Sequence, residues 1–284
     1  MKKIKLIECP RDAMQGWPHF ISTENKISYI NSLLKVGFDT IDFGSFVSPK
    51  SIPQMADTRE VLKGLELDNT STKLLAIVAN LRGAEEAILQ APIHYLGFPF
   101  SISPTFQQRN TNSTIEQSLV TVTEMQALCV KNGKTLVVYI SMGFGNIYGD
   151  EYNENIALHW IDKIAAIGVK IISIADTVGV ASPQQISALL GKVIPTHPEI
   201  EIGVHLHSST LHWKAKVEAA LKAGCTRFDG TLKGIGGCPM ADDKLVGNMD
   251  TELMIPYLQE LNILDNLNEV ALKESISLAN EIFL

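Results

Sequence analysis

Two histidines placed two residues apart are the first residues in this sequence whose spacing could support chemistry. His205 and His207 lie in the segment GVHLHSST, after a β-prone run that contains Ile202 and Val204. Side chains alternate along a strand, so both imidazoles would project from the same face. Neutral imidazoles bind divalent metals, although an isolated pair at this spacing is more often a pair of core histidines. The rest of the chain decides between these two roles.

The composition of the chain is that of a globular protein. Its 284 residues are 45% hydrophobic and 19% charged, and no apolar run is long enough to predict a membrane span. The formal net charge of -7 argues against a general nucleic-acid binder, which would carry a basic surface. Glu8 and Pro10 interrupt the basic N-terminus before any signal-peptide core could form. We therefore expect a cytoplasmic protein that has neither a nucleic-acid partner nor a membrane association.

A helical segment that ends on a glycine and is followed at once by a β-prone run recurs along the chain. It occurs in KVGFDTIDF, KNGKTLVVYI, AIGVKIISI and KAGCTRFDG, which begin at residues 35, 131, 166 and 222. A glycine just past a helix end adopts the left-handed conformation, and the apolar run after it indicates a strand buried on both faces. The pattern predicts alternating helices and parallel strands.

Eight segments fit the strand pattern. They lie at residues 4 to 8, 38 to 43, 73 to 78, 93 to 98, 134 to 140, 169 to 174, 200 to 206 and 226 to 231. Helical patterns fill most of the intervals, such as TENKISYINSLLKVG, where Thr23 could cap the helix. The alternation predicts a (β/α)8 TIM barrel, formed by residues 1 to 284 as one catalytic domain with an extra C-terminal helix. A doubly wound open sheet is the alternative, but no GxGxxG follows the first strand.

Polar residues follow the ends of several predicted strands, which is where TIM-barrel enzymes carry their active sites. They are Arg11 and Asp12 after strand one, Asp42 and Ser45 at strand two, Ser141 at strand five and Asp176 at strand six. Closure places strand eight between strands one and seven, so Asp12, His205 and His207 should share one sector of the barrel mouth. With an oxygen donor such as Asn248, they would form a site for a divalent metal, most suited to Mg or Mn and also open to Zn.

A glycine-rich segment follows the eighth predicted strand. Gly234, Gly236 and Gly237 precede Cys238 and Pro239. Glycines at this spacing predict a flexible hinge that leads to a thiol, and hence a mobile lid over the barrel mouth. The alternative is an ordinary loop with an inert buried cysteine.

Five segments spread along the chain resemble the 3-hydroxy-3-methylglutaryl-CoA lyase family, within the larger group of TIM-barrel metal-dependent lyases and Claisen-type synthases. They are PRDAMQ at 10 to 15, SFVSPKSIPQMADT at 45 to 58, IADTVGV at 174 to 180, VHLH at 204 to 207, and the stretch 234 to 252 with GIGGCP, GN and TE. The segments SFVSPK, PQM and GIGGCP are specific to the lyase branch, whereas the HLH motif is shared by the wider group.

The resemblance implies a metal-dependent retro-Claisen cleavage of 3-hydroxy-3-methylglutaryl-CoA, or of a related 3-hydroxyacyl-CoA, to acetyl-CoA and acetoacetate. It also implies a role in leucine degradation or ketone-body formation, and a homo-oligomer, most simply a dimer. The implied metal ligands are Asp12, His205, His207 and Asn248. The implied catalytic residues are Arg11, Asp42, His205 and Cys238. The implied supporting residues are Gln15, Ser45, Ser141, Asp176 and Glu252.

The sequence departs from the family pattern near the expected substrate site. Asp42 stands where relatives generally have a glutamate, and Ser208-Ser209 replaces the usual aspartate and threonine after the second histidine. Two alternatives therefore stay open. One is a Claisen-type synthase that condenses acetyl-CoA with a 2-oxo acid, although the HxHND pattern typical of those enzymes is absent. The other is a relative that binds metal or acyl-CoA without catalysis.

Overall fold

The structure is a computed structural model that describes residues 3 to 237 and 246 to 283. Eight parallel strands form a closed barrel in chain order, and β1 pairs with both β2 and β8. The strands are β1 Lys5–Glu8, β2 Thr40–Ser45, β3 Lys73–Ile77, β4 Ile93–Ser101, β5 Thr135–Ser141, β6 Ile171–Ala175, β7 Glu201–His205 and β8 Arg227–Gly230. The predicted (β/α)8 barrel and all eight of its strands are confirmed.

Helices alternate with the strands and cover the outside of the barrel. In the described part of the chain they are α1 Pro10–Gln15, α2 Thr23–Leu34, α3 Thr58–Lys63, α4 Leu81–Ile88, α5 Pro104–Thr111, α6 Ile115–Lys131, α7 Glu154–Ala166, α8 Pro183–Thr196, α9 Trp213–Lys222, α10 Thr251–Glu260 and α11 Glu269–Ile282. Two helices follow β8, as predicted, and α11 packs against α2 across the barrel seam. None of these helices is long and apolar enough to cross a membrane.

The recurrent glycine pattern ends helices as the sequence predicts. The φ angles of Gly37, Gly133, Gly168 and Gly224 are 97°, 65°, 93° and 94°. All four therefore lie in the left-handed region, where a side chain would be strained. Each glycine lies a few residues before a strand, so it turns the chain from the helical layer back into the barrel wall.

The start of α2 differs by one residue from the prediction. Ser22 caps the helix, because its hydroxyl oxygen accepts a hydrogen bond from the backbone N–H of Asn25. Thr23, the predicted cap, is already the first helical residue, and its hydroxyl donates to Asp57 at 2.8 Å. The prediction of Thr23 is wrong because both residues are good caps, and only the backbone conformation selects one of them.

The barrel interior is apolar on one side and polar on the other. A cluster separate from the main core is formed there by Leu75, Ile77, Tyr95, Val137, Tyr139 and Ile171. On β7 and β8 the interior instead contains Arg227 and Asp229, which are buried, and His205, whose side chain is 14% exposed. Gly203 leaves room for this arrangement, because a Cβ at that position would lie 2.9 Å from Arg227 Cδ. The chemistry of the barrel is therefore concentrated where β7, β8 and β1 meet.

Glu8, the last residue of β1, forms hydrogen bonds with residues that follow β8. Its carboxyl group accepts hydrogen bonds of 2.7 Å from the Leu232 backbone N–H and from the Thr251 hydroxyl. Burial raises the pKa of Glu8 from 4.5 to about 8, although both hydrogen bonds oppose the shift. The folded protein therefore holds a proton on Glu8 at neutral pH.

We predict that the wild-type protein loses stability as the pH rises, because Glu8 must give up its proton. The variant Glu8→Gln should not show this loss. Glu8 has a pKa of about 8 in the folded protein and an ordinary value of 4.5. The contribution of its proton to stability is therefore fully present below pH 4.5, and it falls as the pH rises from 4.5 to about 8. One proton contributes a slope of at most about 1.4 kcal/mol per pH unit. Glutamine keeps both hydrogen bonds, since its carbonyl can accept from Leu232 and its amide can donate to Thr251.

Urea unfolding at several pH values within that window tests the prediction. The free energy of unfolding of Glu8→Gln, relative to wild type, should increase as the pH rises. Glu60→Gln removes an exposed carboxylate from α3 and serves as the control. A difference between Glu8→Gln and wild type that stays constant with pH would contradict a protonated Glu8.

Candidate active site

The short helix α1 carries two charged residues of the site. It begins at Pro10, a residue favoured at the first helical position because its missing N–H needs no partner there. Arg11 and Asp12 follow in the first turn, with 8% and 6% of their surfaces exposed. The sequence pattern does not reveal α1, since its six residues form less than two helical turns.

The Arg11 guanidinium is held by three neighbouring side chains. Its Nε donates to both carboxylate oxygens of Asp42, at 3.2 and 3.0 Å, and Nη2 also donates to Asp42. Its Nη1 donates to Asp12 Oδ1 and to Gln15 Oε1, each at 2.9 Å. A guanidinium has five N–H donors, and one on Nη2 has no acceptor among the described residues. That N–H is available to a ligand in the cleft that Arg11 lines.

The four predicted metal ligands lie together at the barrel seam. Asp12 Oδ2 is 3.9 Å from His205 Nε2 and accepts a hydrogen bond of 2.6 Å from Asn248 Nδ2. The rings of His205 and His207 are 5.3 Å apart between centroids, and His207 forms an isolated β-bridge with Asn248. Strand closure and the chain after β8 therefore bring Asp12, His205, His207 and Asn248 to one place.

Each of these side chains presents an atom that suits a divalent metal. His205 Nδ1 donates to Asp229 at 3.2 Å, and His207 Nδ1 donates to the Val246 carbonyl at 2.9 Å. Both rings therefore keep a lone pair on Nε2, as in metal-binding histidines with an outer partner. Asn248 Oδ1 is buried and has no hydrogen-bond partner in the described part of the chain. These nitrogen and oxygen donors fit Mg or Mn, and also Zn.

Burial and charge shift the pKa values within the site. Burial raises the pKa of Asp12, but the positive charges of Arg11 and His205 outweigh it and lower that pKa below its ordinary value. Burial lowers the pKa of His205, but the hydrogen bond and negative charge of Asp229 outweigh it and raise that pKa. Burial and the charge of His205 lower the pKa of His207. Burial raises the pKa of Asp42 to about 6, in spite of Arg11.

Asp12, His205 and His207 line a cleft of about 710 Å³, whereas Asn248 lies behind this lining. Of the predicted supporting residues, Gln15 and Ser141 line this cleft. Ser45, Asp176 and Glu252 do not belong to the lining. Ser45 instead accepts a hydrogen bond of 3.1 Å from the Val47 backbone N–H, and Glu252 lies in the first turn of α10.

Asp176 supports the site from behind the cleft. Its carboxylate forms a buried ion pair with Lys216 at 2.7 Å and accepts a hydrogen bond from the Ala181 backbone N–H at 3.0 Å. Lys216 also donates to the backbone carbonyl of His207 at 2.7 Å. The ion pair therefore fixes the backbone that carries the second histidine.

Two of the predicted lid glycines, Gly234 and Gly236, pack directly against predicted metal ligands. The φ angles of Gly234, Gly236 and Gly237 are 63°, 107° and 135°, all in the left-handed half of the map. A Cβ at position 236 would lie 2.6 Å from Asn248 Nδ2 and 2.8 Å from the Asp12 carbonyl oxygen. Cys238, the predicted catalytic thiol, lies outside the described residues.

The sequence model of the HMGL-like family matches residues 3 to 279. The chain belongs to this family. It is 33% identical over 282 residues to hydroxymethylglutaryl-CoA lyase YngG of Bacillus subtilis, an alignment that covers 99% of this chain and 92% of that protein. It is 29% identical to (R)-citramalyl-CoA lyase of Chloroflexus aurantiacus, over 93% of this chain and 86% of that protein. The family resemblance seen in the motifs is confirmed.

Solved structures of the HMGL-like family agree with this assignment. A crystal structure of HMG-CoA lyase from Bacillus subtilis has a TM-score of 0.92 and 31% identity, and the match covers 99% of this chain and 94% of that one. An HMG-CoA lyase from an Acinetobacter species, in complex with coenzyme A and 3-methylmalate, has a TM-score of 0.90 and 28% identity, and the match covers 99% and 91% of the two chains.

Two residues that orient the histidines of this family member were not predicted as site residues. Asp229 accepts the hydrogen bond from His205, and Lys216 holds the His207 backbone. Parallel pairing of Val204 with Phe228 places Asp229 beside His205, so the register of β7 and β8 could have identified it. Lys216 gives no such signal, because a lysine on a helix is normally exposed.

We predict that Gly236→Ala weakens metal binding. The new methyl group would contact the Asn248 amide and the Asp12 backbone, and alanine is strained at a φ of 107°. Gly149→Ala is the matched control, because Gly149 also has positive φ, 77°, but a Cβ added there would have no heavy atom within 4 Å. Calorimetric titration with Mn²⁺ should show roughly a tenfold or larger loss of affinity for Gly236→Ala only. Equal Mn²⁺ affinities in the two variants would contradict the packing argument.

Proposed function

We propose that this protein is a divalent-metal-dependent carbon–carbon lyase that cleaves 3-hydroxy-3-methylglutaryl-CoA to acetyl-CoA and acetoacetate. The observation that carries the proposal is the cluster of four nitrogen and oxygen donor atoms that lies beside the clamped Arg11. The donors are Asp12 Oδ2, His205 Nε2, His207 Nε2 and Asn248 Oδ1. Relatives named hydroxymethylglutaryl-CoA lyase align with this chain over nearly its whole length. The reaction would serve leucine degradation or ketone-body formation.

The reaction breaks the bond between C2 and C3 of the substrate. Loss of the proton from the 3-hydroxyl group turns C3 into the ketone carbon of acetoacetate. The electron pair of the broken bond moves to C2 and is delocalised onto the thioester oxygen, and C2 then gains a proton to complete acetyl-CoA. A bound divalent ion supplies Lewis-acid polarisation of the hydroxyl group, which makes its proton easier to remove.

Arg11 stabilises the enolate in this proposal. Asp42, Asp12 and Gln15 occupy four of its donors and fix the orientation of the guanidinium. The remaining Nη2–H is directed at the thioester oxygen, where negative charge develops. A fixed donor of this kind costs no reorganisation during the reaction, and the guanidinium stays charged at every relevant pH.

Asp42 accepts the hydroxyl proton in this proposal. It lines the cleft, and its pKa of about 6 lies near the pH at which a general base is most effective. His205 is less suited to proton transfer, because Nδ1 is bonded to Asp229 and Nε2 is directed to the metal side. Asp42 is one methylene, about 1.5 Å, shorter than the glutamate of relatives, so the substrate hydroxyl must lie closer to β2.

We extend the proposal to the remaining sequence predictions. Gly234, Gly236 and Gly237 would form the base of a lid that brings Cys238 to the substrate. Ser45, Asp176 and Glu252 would support the site from outside the cleft, whereas Gln15 and Ser141 would contact the substrate. The whole chain would form one catalytic domain of a cytoplasmic homodimer.

A second substrate is supported by the relatives. The identity to (R)-citramalyl-CoA lyase is 29%, close to the 33% identity to the hydroxymethylglutaryl-CoA lyase of Bacillus subtilis. Both substrates are 3-hydroxyacyl-CoA thioesters with a tertiary hydroxyl group, so the same metal site and Arg11 would serve either cleavage. The Claisen-type synthase has no comparable support, since the relatives described above are lyases.

The proposal is tested with purified protein, Mg²⁺ or Mn²⁺, and each of the two acyl-CoA substrates. We expect release of acetyl-CoA together with acetoacetate or pyruvate. Arg11→Lys should lower kcat by roughly a hundredfold or more, because lysine keeps the charge but cannot reproduce the clamped donor. Arg59→Lys, at an exposed ion pair with Glu86, is the control. The absence of turnover of both substrates at any metal concentration would contradict the proposed function.

We also predict that metal affinity falls as the pH is lowered, starting above pH 6.5. His205 must be neutral to bind a metal, and its pKa is raised above the ordinary 6.5 by Asp229 although burial opposes this. Protons therefore compete with the metal at a higher pH than they would for a free imidazole. Asp229→Asn should move the onset to lower pH, because the carboxylate charge is removed. Mn²⁺ titrations across the pH range measure both effects, and pH-independent binding would contradict histidine ligation.

A further inference from the structure

His205 has a second group of metal-binding atoms on its other side. Cys9 Sγ, a His205 ring nitrogen and an Asp229 carboxylate oxygen lie within 4.8 Å of one another. This group faces the barrel interior, whereas the oxygen-rich set with Asp12 faces the cleft. His205 is thus the one residue that the two groups share, with Nδ1 directed to Asp229 and Nε2 directed to Asp12.

The interior group contains atoms that nothing else in the described chain satisfies. Asp229 is almost completely buried, and its Oδ1 has no hydrogen-bond partner among the described residues. The buried hydroxyl of Tyr139 also has no hydrogen-bond partner in the described part of the chain. The Tyr139 ring packs edge-on against His205, with 6.0 Å between the ring centroids. A cation bound between Cys9, His205 and Asp229 would satisfy Asp229 Oδ1, and Tyr139 offers a further oxygen donor.

The local charge favours a cation at this position. Three carboxylates, those of Asp229, Asp42 and Asp12, act on the Cys9 thiol, and the guanidinium groups of Arg11 and Arg227 are the positive charges that oppose them nearby. The three carboxylates outnumber the two guanidinium groups, so the local charge attracts a divalent ion. A coordinating metal deprotonates a thiol outright, and the proton passes to solvent.

The ligand types select a soft or borderline metal. Thiolate and imidazole prefer zinc and cadmium, whereas the oxygen-rich set with Asp12 suits Mg²⁺ and Mn²⁺. We propose that Cys9, His205 and Asp229 form an inhibitory site for a thiophilic divalent cation, separate from the hard-metal site in the cleft. Binding there replaces the hydrogen bond between Nδ1 and Asp229 that orients His205. Because both sites use the His205 imidazole, a metal bound at the inner site with Cys9 and Asp229 weakens metal binding at the outer site in the cleft.

Metal binding at the inner site is tested by spectroscopy and does not depend on activity. Titration of the metal-free protein with Cd²⁺ should produce an ultraviolet thiolate-to-cadmium charge-transfer band. In the wild-type protein the intensity of this band should saturate at one Cd²⁺ ion per chain. Cys9→Ala should lose this band, whereas Cys225→Ala, a change at another buried cysteine, should retain it. Cys9→Ser keeps the shape of the residue and should also lose the band. Full band amplitude in both Cys9 variants would overturn the proposal.

The inhibitory effect is tested by activity and rests on the proposed function. Cd²⁺ should inhibit the wild-type protein and Cys225→Ala at the same concentration. Inhibition of Cys9→Ala should require a Cd²⁺ concentration that is higher by roughly tenfold or more, because a metal ligand has been removed. Basal activity with Mg²⁺ should be unchanged in Cys9→Ala. If no substrate is turned over, the proposed function fails while the spectroscopic titration still decides the site. If turnover is normal and Cys9→Ala is equally sensitive to Cd²⁺, the inhibitory site fails alone.

Discussion

Closure of the barrel between β1 and β8 is the constraint on which the site depends. Pairing of Ile7 with Asp229, and of Val204 with Phe228, brings residues from opposite ends of the chain to one place. Asp12 lies in α1, which follows β1 after one residue, and His205 is the last residue of β7, so the pairing of the strands sets the position of both. An open sheet of the same strands would leave the carboxylate and the imidazoles at opposite edges. The site is thus a direct consequence of eight strands meeting in a closed ring.

Hydrogen bonds to neighbouring residues determine which ring nitrogen of each histidine keeps a lone pair. Asp229 and the Val246 carbonyl accept hydrogen bonds from Nδ1 of His205 and His207, so each ring keeps its lone pair on Nε2. Lys216 fixes the His207 carbonyl through a buried ion pair with Asp176. Such partners hold the tautomer and ring orientation of a metal-binding histidine. They lie outside the cleft, yet the donor geometry at its floor depends on them.

The fold, and the proximity of Asp12, His205 and His207, could be predicted from sequence because the signals of each αβ unit are local. Helix-ending glycines and apolar runs mark each αβ unit, and the HLH spacing places two imidazoles on one strand face. Residues whose role depends on register or on burial were harder to predict. Asp229 requires the pairing of β7 with β8, and Lys216 is a lysine buried on a helix, which no periodicity reveals. The one-residue error at the cap of α2 has the same origin, since Ser22 and Thr23 differ only in backbone conformation.

Asp12 couples the metal donors to the arginine clamp. Its Oδ1 accepts hydrogen bonds from Arg11 and Gln15, whereas its Oδ2 is directed towards His205 and Asn248. A displacement of this one carboxylate would therefore disturb both the proposed metal-binding side and the proposed oxyanion-stabilising side of the site. Residues that share a partner in this way show non-additive effects when they are changed together. The two halves of the proposed chemistry consequently form one structural unit, because the short helix α1 presents Arg11 and Asp12 from adjacent positions.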